Sequence, residues 1–295
     1  MSIFVCGDIH STLDINKLDC FIGREDLNEN DYLIICGDTG ICGFNKEQER
    51  LTREYLRKLP MTILFADGNH EQFDALNSYS IDEWNGGKVH IIESGIMHLM
   101  RGQVYQIDGR KFFVFGGAYS NDRAYRNLGF TWFEEELPSE EEYMEAWKNL
   151  KANGYKVDYI ISHTGPYEVI TELGYKVHEE ELDQVKFFQQ IADRVDFQDW
   201  YFGHFHEDVD VENFHCRIDE VTQIEWYAGH YHVESEEGDI RIMFEDYDEI
   251  CEDDKQLRIK TGIIKILKIN NSIITMKENC RRTILFYLKH FTRRF

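Results

Sequence analysis

Ile3-Phe4-Val5-Cys6-Gly7-Asp8-Ile9-His10 opens the chain, and its reading decides the fold: four apolar residues, a glycine, then a carboxylate and an imidazole. So short an apolar run, rich in β-branched and aromatic side chains, reads as a strand covered on both faces. The pattern recurs. Tyr32 to Cys36 is followed by Gly37-Asp38, and Thr62 to Ala66 leads into Gly68-Asn69-His70-Glu71. Tyr159 to Ile161 is followed by Ser162-His163-Thr164-Gly165-Pro166, and Trp200-Tyr201-Phe202 by Gly203-His204-Phe205-His206. Phe112 to Phe115 is a further run of the same kind.

Helices are expected between some of these strands. Asn45 with Gln48 three residues on marks a helix start, which places Leu51, Tyr55 and Leu59 on one face. Ser139 with Glu142 makes a capping-box signature ahead of a stripe of Tyr143, Trp147 and Leu150. From Lys88 to Phe115 strand-like segments alternate, and with Asn85-Gly86 and Asp108-Gly109 as turns they predict hairpins. The order βαβαβ, a β-rich middle, then α and β again, implies an α/β fold of stacked sheets flanked by helices.

Composition narrows the function classes. With 55 acids against 32 lysines and arginines the net charge is −23, which repels phosphate backbones and argues against duplex nucleic acid as a partner. An acidic chain that handles phosphate needs a local attractor, and bound metal cations are the obvious one. Seven cysteines without a CxxC pair imply no disulfide framework and suit a reducing, cytoplasmic setting. Neither a signal peptide nor a membrane span is expected. Residues 255 to 295 carry 11 lysines and arginines against the single acid Glu278, leaving about −33 for the rest. We therefore expect a main domain over 1–250 and a basic extension over 251–295, solvated and partly helical.

The Asp, Asn and His residues follow successive strands, where loops at strand carboxyl ends converge on one crevice. Carboxylate, imidazole and amide donors suit Mn²⁺, Fe or Zn²⁺, and Asp38 is best placed to bridge two ions. Two ions about 3.5–4 Å apart can hold both the attacking and the leaving oxygen at phosphorus. A histidine not used as a ligand can protonate the leaving alkoxide.

Together GDIH, GD, GNHE, SHTGP and GHFH, in this order over roughly residues 3 to 206, resemble the calcineurin-like metallophosphoesterase superfamily. The resemblance implies a four-layer αββα sandwich of two mixed sheets. It implies Asp8, His10, Asp38 and His206 around one metal, and Asp38, Asn69, His163 and His204 around a second. His70 would be the catalytic acid, or the group that steadies the phosphate. The implied activity is phosphatase or phosphodiesterase hydrolysis of a phosphoester, with direct attack by a hydroxide held between two divalent ions, Mn²⁺ favoured over Fe or Zn²⁺. A protein Ser/Thr phosphatase and a nuclease are the alternatives within the superfamily, and a metal-free scaffold that binds a partner is the alternative outside it.

The second motif departs from the protein-phosphatase pattern GDxVDRG. Gly37-Asp38-Thr39-Gly40-Ile41-Cys42 lacks the Asp that orients the catalytic histidine and the Arg that grips phosphate. Arg101, Arg123 and Arg126 are candidates to replace the Arg, each expected to be an ordinary surface residue. A second GHxH, Gly229-His230-Tyr231-His232, echoes the first, which is preferred because its distance from His163 leaves room for one helix and a strand. His90, His98, His178, His215 and His290 are expected to be structural or surface residues. Glu71 is expected to favour the start of the following helix, with support of the site as the alternative. The runs Glu134 to Glu136 and Glu140 to Glu142 read as a solvated face, and Tyr119, Tyr125, Trp132 and Phe133 as core.

Overall fold

The computed structural model describes residues 1–43 and 45–224, and beyond them the backbone of short strand segments between 235 and 277. The chain divides into two compact units, Met1–Glu225 and Trp226–Phe295. In the first unit it runs through β1 (Ile3–Cys6), β2 (Tyr32–Ile35), α1 (Lys46–Leu56), β3 (Thr62–Phe65) and α2 (Phe73–Leu76). Five strands follow, β4 (Ile81–Trp84), β5 (Gly87–Glu93), β6 (Ile96–Leu99), β7 (Gln103–Ile107) and β8 (Arg110–Phe115). Then come α3 (Glu140–Ala152), β9 (Tyr159–Ser162), α4 (Tyr167–Glu172), α5 (Leu182–Arg194) and β10 (Asp199–Phe202). Three strands close the unit, β11 (Val209–Val211), β12 (Phe214–Cys216) and β13 (Val221–Ile224).

Two mixed sheets result, ordered β13-β1-β2-β3-β6-β5-β4 and β11-β12-β10-β9-β8-β7. In the first, β1, β2, β3 and β6 are parallel, with Cys6 beside Ile35 and Ile35 beside Phe65. In the second, β12, β10, β9 and β8 are parallel. Strand alternation divides the core into layers. Phe4 and Cys6 of β1 pack outward with Leu56 of α1, whereas Ile3 and Val5 face Phe112 and Val114 of the other sheet. On the far side Phe113, Phe115, Trp200 and Phe202 meet Ala146 and Leu150 of α3 and Phe187, Phe188 and Ile191 of α5. This is the four-layer αββα sandwich expected. Each large side chain so buried contributes about 1.5–3 kcal/mol relative to leaving it in water. Trp200 stays satisfied because its Nε1–H donates to Ser162 Oγ at 2.7 Å.

Local signals hold at most ends. Asn45 Oδ1 accepts from the amides of Glu47 (3.0 Å) and Gln48 (3.2 Å), capping α1. Ser139 and Glu142 make the reciprocal box at α3, at 2.7 and 3.3 Å. Asn85-Gly86 and Asp108-Gly109 have positive φ at both positions, the type I′ geometry that joins β4 to β5 and β7 to β8. The stripe on α1 is shifted from expectation: Thr52 and Leu56 are buried and Leu51 is 40% exposed. Glu136 breaks the expected solvated face, being buried. Between His163 and His204 lie two helices, α4 and α5, rather than one.

In the second unit the described strands Cys251–Asp253, Gln256–Ile259, Gly262–Ile269 and Ser272–Lys277 form an antiparallel sheet, and residues 278–295 of the expected partly helical extension lie outside the described residues. His230, His232 and His290 lie outside the described residues. Among the described residues no helix is long and apolar enough to cross a membrane.

Candidate metal centre

The carboxyl ends of β1, β2 and β3 in one sheet and of β9 and β10 in the other deliver all eight expected residues to one place. Asp8, Asp38, Asn69 and His163 are buried. The rim is wetter: the side chains of His10, His70 and His206 are 16%, 40% and 57% exposed. His10, Asp38, His204 and His206 all sit in the left-handed region, as does Ser11. Non-glycine residues rarely pay that steric cost, and where they cluster the strain is usually functional.

Glycines make room for the carboxylates. A Cβ on Gly68 would stand 2.0 Å from Asp38 Oδ1, one on Gly203 2.0 Å from Asp8 Oδ1, and one on Gly37 2.3 Å from His163 Nδ1. Backbone amides fix both acids: His70 N–H donates to Asp38 Oδ1 at 2.7 Å, and His204 N–H to Asp8 Oδ1 at 3.0 Å. Lys17 Nζ donates to the carbonyls of Asp8 and Ile218, which ties the Asp8 loop to the segment before β13. Imidazoles are oriented from behind. His163 Nδ1 donates to Cys36 O at 2.7 Å and His10 Nδ1 meets Asp14 Oδ2 at 2.7 Å, which turns each Nε2 toward the carboxylates.

The donor atoms have the spacing of ligands. Neighbouring ligands about 2.1 Å from one ion lie about 3–3.4 Å from each other by octahedral or tetrahedral geometry. Here His206 Nε2 is 3.3 Å from Asp8 Oδ2, and His163 Nε2 is 2.9 Å from Asn69 Oδ1 and 3.5 Å from Asp38 Oδ1. His10 Nε2 is 3.6 Å from Asp38 Oδ2 and 3.7 Å from Asp8 Oδ2. Among the described residues Asp8, His10 and His206 make one compact group and Asp8, Asp38 and His163 another, so Asp8 is common to both, and Asp38 also reaches both, with Oδ2 toward His10 and Oδ1 toward His163. Asn69 Oδ1 faces His163 because its Nδ2 donates to Ser120 Oγ at 2.9 Å. His204 packs its ring against His163, centroids 5.1 Å apart.

The electrostatics call for a cation. Burial alone would raise Asp8 and Asp38, but the His163 charge beside them holds both below the usual carboxylate range. Conversely, burial would lower His163 and His10, and the facing carboxylates instead push them up to about 10 and about 9. His204, buried and beside charged His163, is held down to about 3, a neutral imidazole with a free lone pair. The residues present therefore fit metal ions of the kind that take carboxylate, imidazole and amide ligands.

Several contributors take roles other than the ones the sequence favoured. Glu71 is fully buried, and its Oε1 accepts from the Thr39 amide (2.9 Å) and hydroxyl (3.0 Å), tying the Asn69 loop to the Asp38 loop. It is not the helix-start residue expected, because α2 begins at Phe73 and its first-turn acid is Asp74. The three candidate arginines are not ordinary surface residues either. Arg101 is buried and donates to Asp67 at 2.9 Å, and Arg123 lies over the rings of Tyr119 and Trp132 at 4.3 and 4.9 Å. Arg126 reaches His70, with Nη2 2.7 Å from Nδ1. Of the four aromatics expected in the core, Phe133 is buried and Tyr125 is 92% exposed. His90 and His98 are buried as structural residues.

Solved structures with a similar backbone include one from Staphylococcus aureus described as a 5′-nucleotidase, at 16% identity and TM-score 0.43. That match covers 75% of this chain and 50% of the other, so this chain spans half of its length. Another is the phosphopantetheinyl hydrolase of Mycobacterium tuberculosis, at 13% identity and TM-score 0.37, covering 73% and 87%. No curated protein sequence matches the chain. The sequence model of the calcineurin-like phosphoesterases matches residues 1–208, a span that holds every residue of this centre from Asp8 to His206. The chain belongs to the calcineurin-like phosphoesterase family.

Proposed function

We propose that the chain hydrolyses a phosphoester at a pair of divalent ions, Asp8, His10, Asp38 and His206 holding one and Asp38, Asn69, His163 and His204 the other. The observation that carries this reading is the convergence of Asp8, Asp38, Asn69 and His163, buried and at ligand spacing, with Asp38, His10, His204 and His206 in the left-handed backbone region. When bound, such ions withdraw charge from phosphoryl oxygens and make a nucleophile of water near neutral pH.

The protein's own groups divide the remaining tasks. The two buried carboxylates and the backbone amides of His70 and His204 fix the floor of the site, and Glu71 and Lys17 fix the loops that carry it. His70 stands at the rim with Nε2 3.9 Å from Asp38 Oδ2. At the rim it is open enough to exchange protons with water. Burial holds His70 below its ordinary value, which is the direction that eases proton release. Its role is to hand a proton to the departing alkoxide while water supplies the new P–O bond. Mn²⁺ is the metal we favour.

Hydrolysis of p-nitrophenyl phosphate and bis-p-nitrophenyl phosphate with added Mn²⁺, and with a chelator, tests the reading. We expect hydrolysis with Mn²⁺ that the chelator abolishes and fresh metal restores. Metal-loaded protein inert toward both substrates, or activity indifferent to the chelator, would overturn it.

A further inference from the structure

We propose that Lys176 selects the substrate by binding a second anionic group on the alcohol portion of a small phosphoester, an inference that rests on the phosphoesterase reading above. A cleft of about 160 Å³ opens beside His204 and His206, between Asn121 of the β8–α3 segment, the connection from α4 to α5, and Phe205. Those two histidines are assigned above one to each ion, so a group bound in the cleft borders both metal positions. Size is the first restriction. Sites for drug-sized ligands run to roughly 300–1,000 Å³, so this cleft takes the few heavy atoms of a short alcohol rather than a nucleoside.

The wall that carries Lys176 is apolar and fixed. Ile170 is buried, and the rings of Tyr175 and Phe205 pack with centroids 4.4 Å apart. Helix α4 ends in a Schellman turn, in which Gly174 takes φ 87°. The Gly174 N–H donates to Thr171 O at 3.0 Å and the Tyr175 N–H to Ile170 O at 3.1 Å. At its other end Tyr175 donates its hydroxyl to Phe205 O at 3.2 Å. His178 is pinned as well: its ring stacks on Tyr119 with centroids 5.0 Å apart, and its N–H donates to Glu181 Oε1 at 2.7 Å. Lys176 thus rides on a short stretch held at both sides.

Its charge is not consumed by the protein. Lys176 makes no ion pair or hydrogen bond among the described residues, although Glu172, Glu179 and Glu180 lie within four positions of it in a chain of net charge −23. The carboxylate that lines the cleft, Glu181, is 6% exposed and has one oxygen taken by the His178 amide. Burial raises Glu181 above its ordinary value, which disfavours its charged form. The ammonium of Lys176 is therefore the free charge at this cleft, and it offers three donors on a flexible stem to a carboxylate or phosphate. Elsewhere the acidic surface repels such a group, so this local cation discriminates in its favour. A neutral alcohol gains nothing from it.

The test compares kcat/KM of the Mn²⁺-loaded protein on three short phosphoesters: 3-phosphoglycerate, 1,3-propanediol bisphosphate and glycerol 3-phosphate. The first carries a carboxylate, the second a further phosphate, and the third a neutral hydroxymethyl group. At least one of the two anionic esters should exceed glycerol 3-phosphate by about 5- to 30-fold, between the worth of an exposed ion pair and that of a charge-assisted hydrogen bond. The better of them tells which anion the cleft takes. Lys176→Ala should bring that ratio to within about twofold of one, chiefly through KM, with Mn²⁺ content near wild type, and Lys176→Arg should keep most of it. Equilibrium binding of the same three compounds to Mn²⁺-loaded His70→Ala protein gives a second readout that does not need turnover. A wild-type ratio near one in both readouts, or a preference that survives Lys176→Ala, would overturn the proposal. A Lys176-dependent preference in binding without hydrolysis of any of the three by wild type would leave the anion site standing and remove the hydrolase reading instead.

Discussion

At the scale of the residue, the site depends on side chains that are missing as much as on those present. Gly68 precedes Asn69 and faces Asp38, whose Oδ1, backbone N and Cγ stand 2.0, 2.3 and 2.7 Å from where a Cβ would be. The neighbours are backbone and a carboxylate pinned by the His70 amide, so they cannot give way cheaply. Gly68→Ala is therefore expected to lower stability by about 1–3 kcal/mol, the usual cost of overpacking, and to reduce bound Mn²⁺ because Asp38 is displaced. Thermal melts and elemental analysis check this; an unchanged melting temperature and metal content would show that Asp38 has room to move. The ligand types themselves were legible as Asp, Asn and His in glycine-marked turns after strands. Ser120 and Lys17 were not, and Glu71 and Arg126 were legible only as candidates, because each acts across a long sequence separation through a contact that only the assembled sheets create.

At the scale of the element, short apolar runs and turn chemistry placed the strands and hairpins, and burial decided the rest. The α1 stripe shifted by one residue because its inner face is Thr52 and Leu56, with Thr52 Oγ1 donating to Gln48 O at 2.9 Å, a choice periodicity alone does not make. The β5–β6 pair shows a polar counterpart. His90 and His98 lie opposite each other, their Nδ1 atoms 3.0 Å apart, and His98 Nε2 reaches Asp67 Oδ1 at 3.2 Å. Burial, then the His98 charge, hold His90 down to about 4, against an ordinary 6.5. Between these values the unfolded chain binds a proton at this residue that the fold refuses. His90 thus contributes stability that is present above pH 6.5 and lost as pH falls toward 4. Replacing it with Gln should flatten the acid limb of stability against pH, by on the order of 1–3 kcal/mol at its lower end. Denaturant melts at stepped pH read this directly, and curves that stay parallel would mean that the histidine pair relaxes on protonation.

At the scale of the whole molecule, two mixed sheets face each other across Ile3, Val5, Phe112 and Val114, with their parallel strands ending at one edge. That arrangement brings residues as distant as Asp8 and His206 to 3.3 Å, and it lets an acidic chain concentrate buried carboxylates where cations are wanted. Stacked sheets flanked by helices followed from the pattern of runs and helices. The sheet in the Trp226–Phe295 unit did not, because its lysines and isoleucines alternate with either period over short stretches. The edge is proposed to hold two ions that share Asp38. Chelator-stripped protein should be reloaded with Mn²⁺, dialysed and measured for metal per chain, beside Asp38→Asn. The account predicts about two ions for the wild type and at most one for the variant. Fewer than two in the wild type, or two retained by Asp38→Asn, would contradict it.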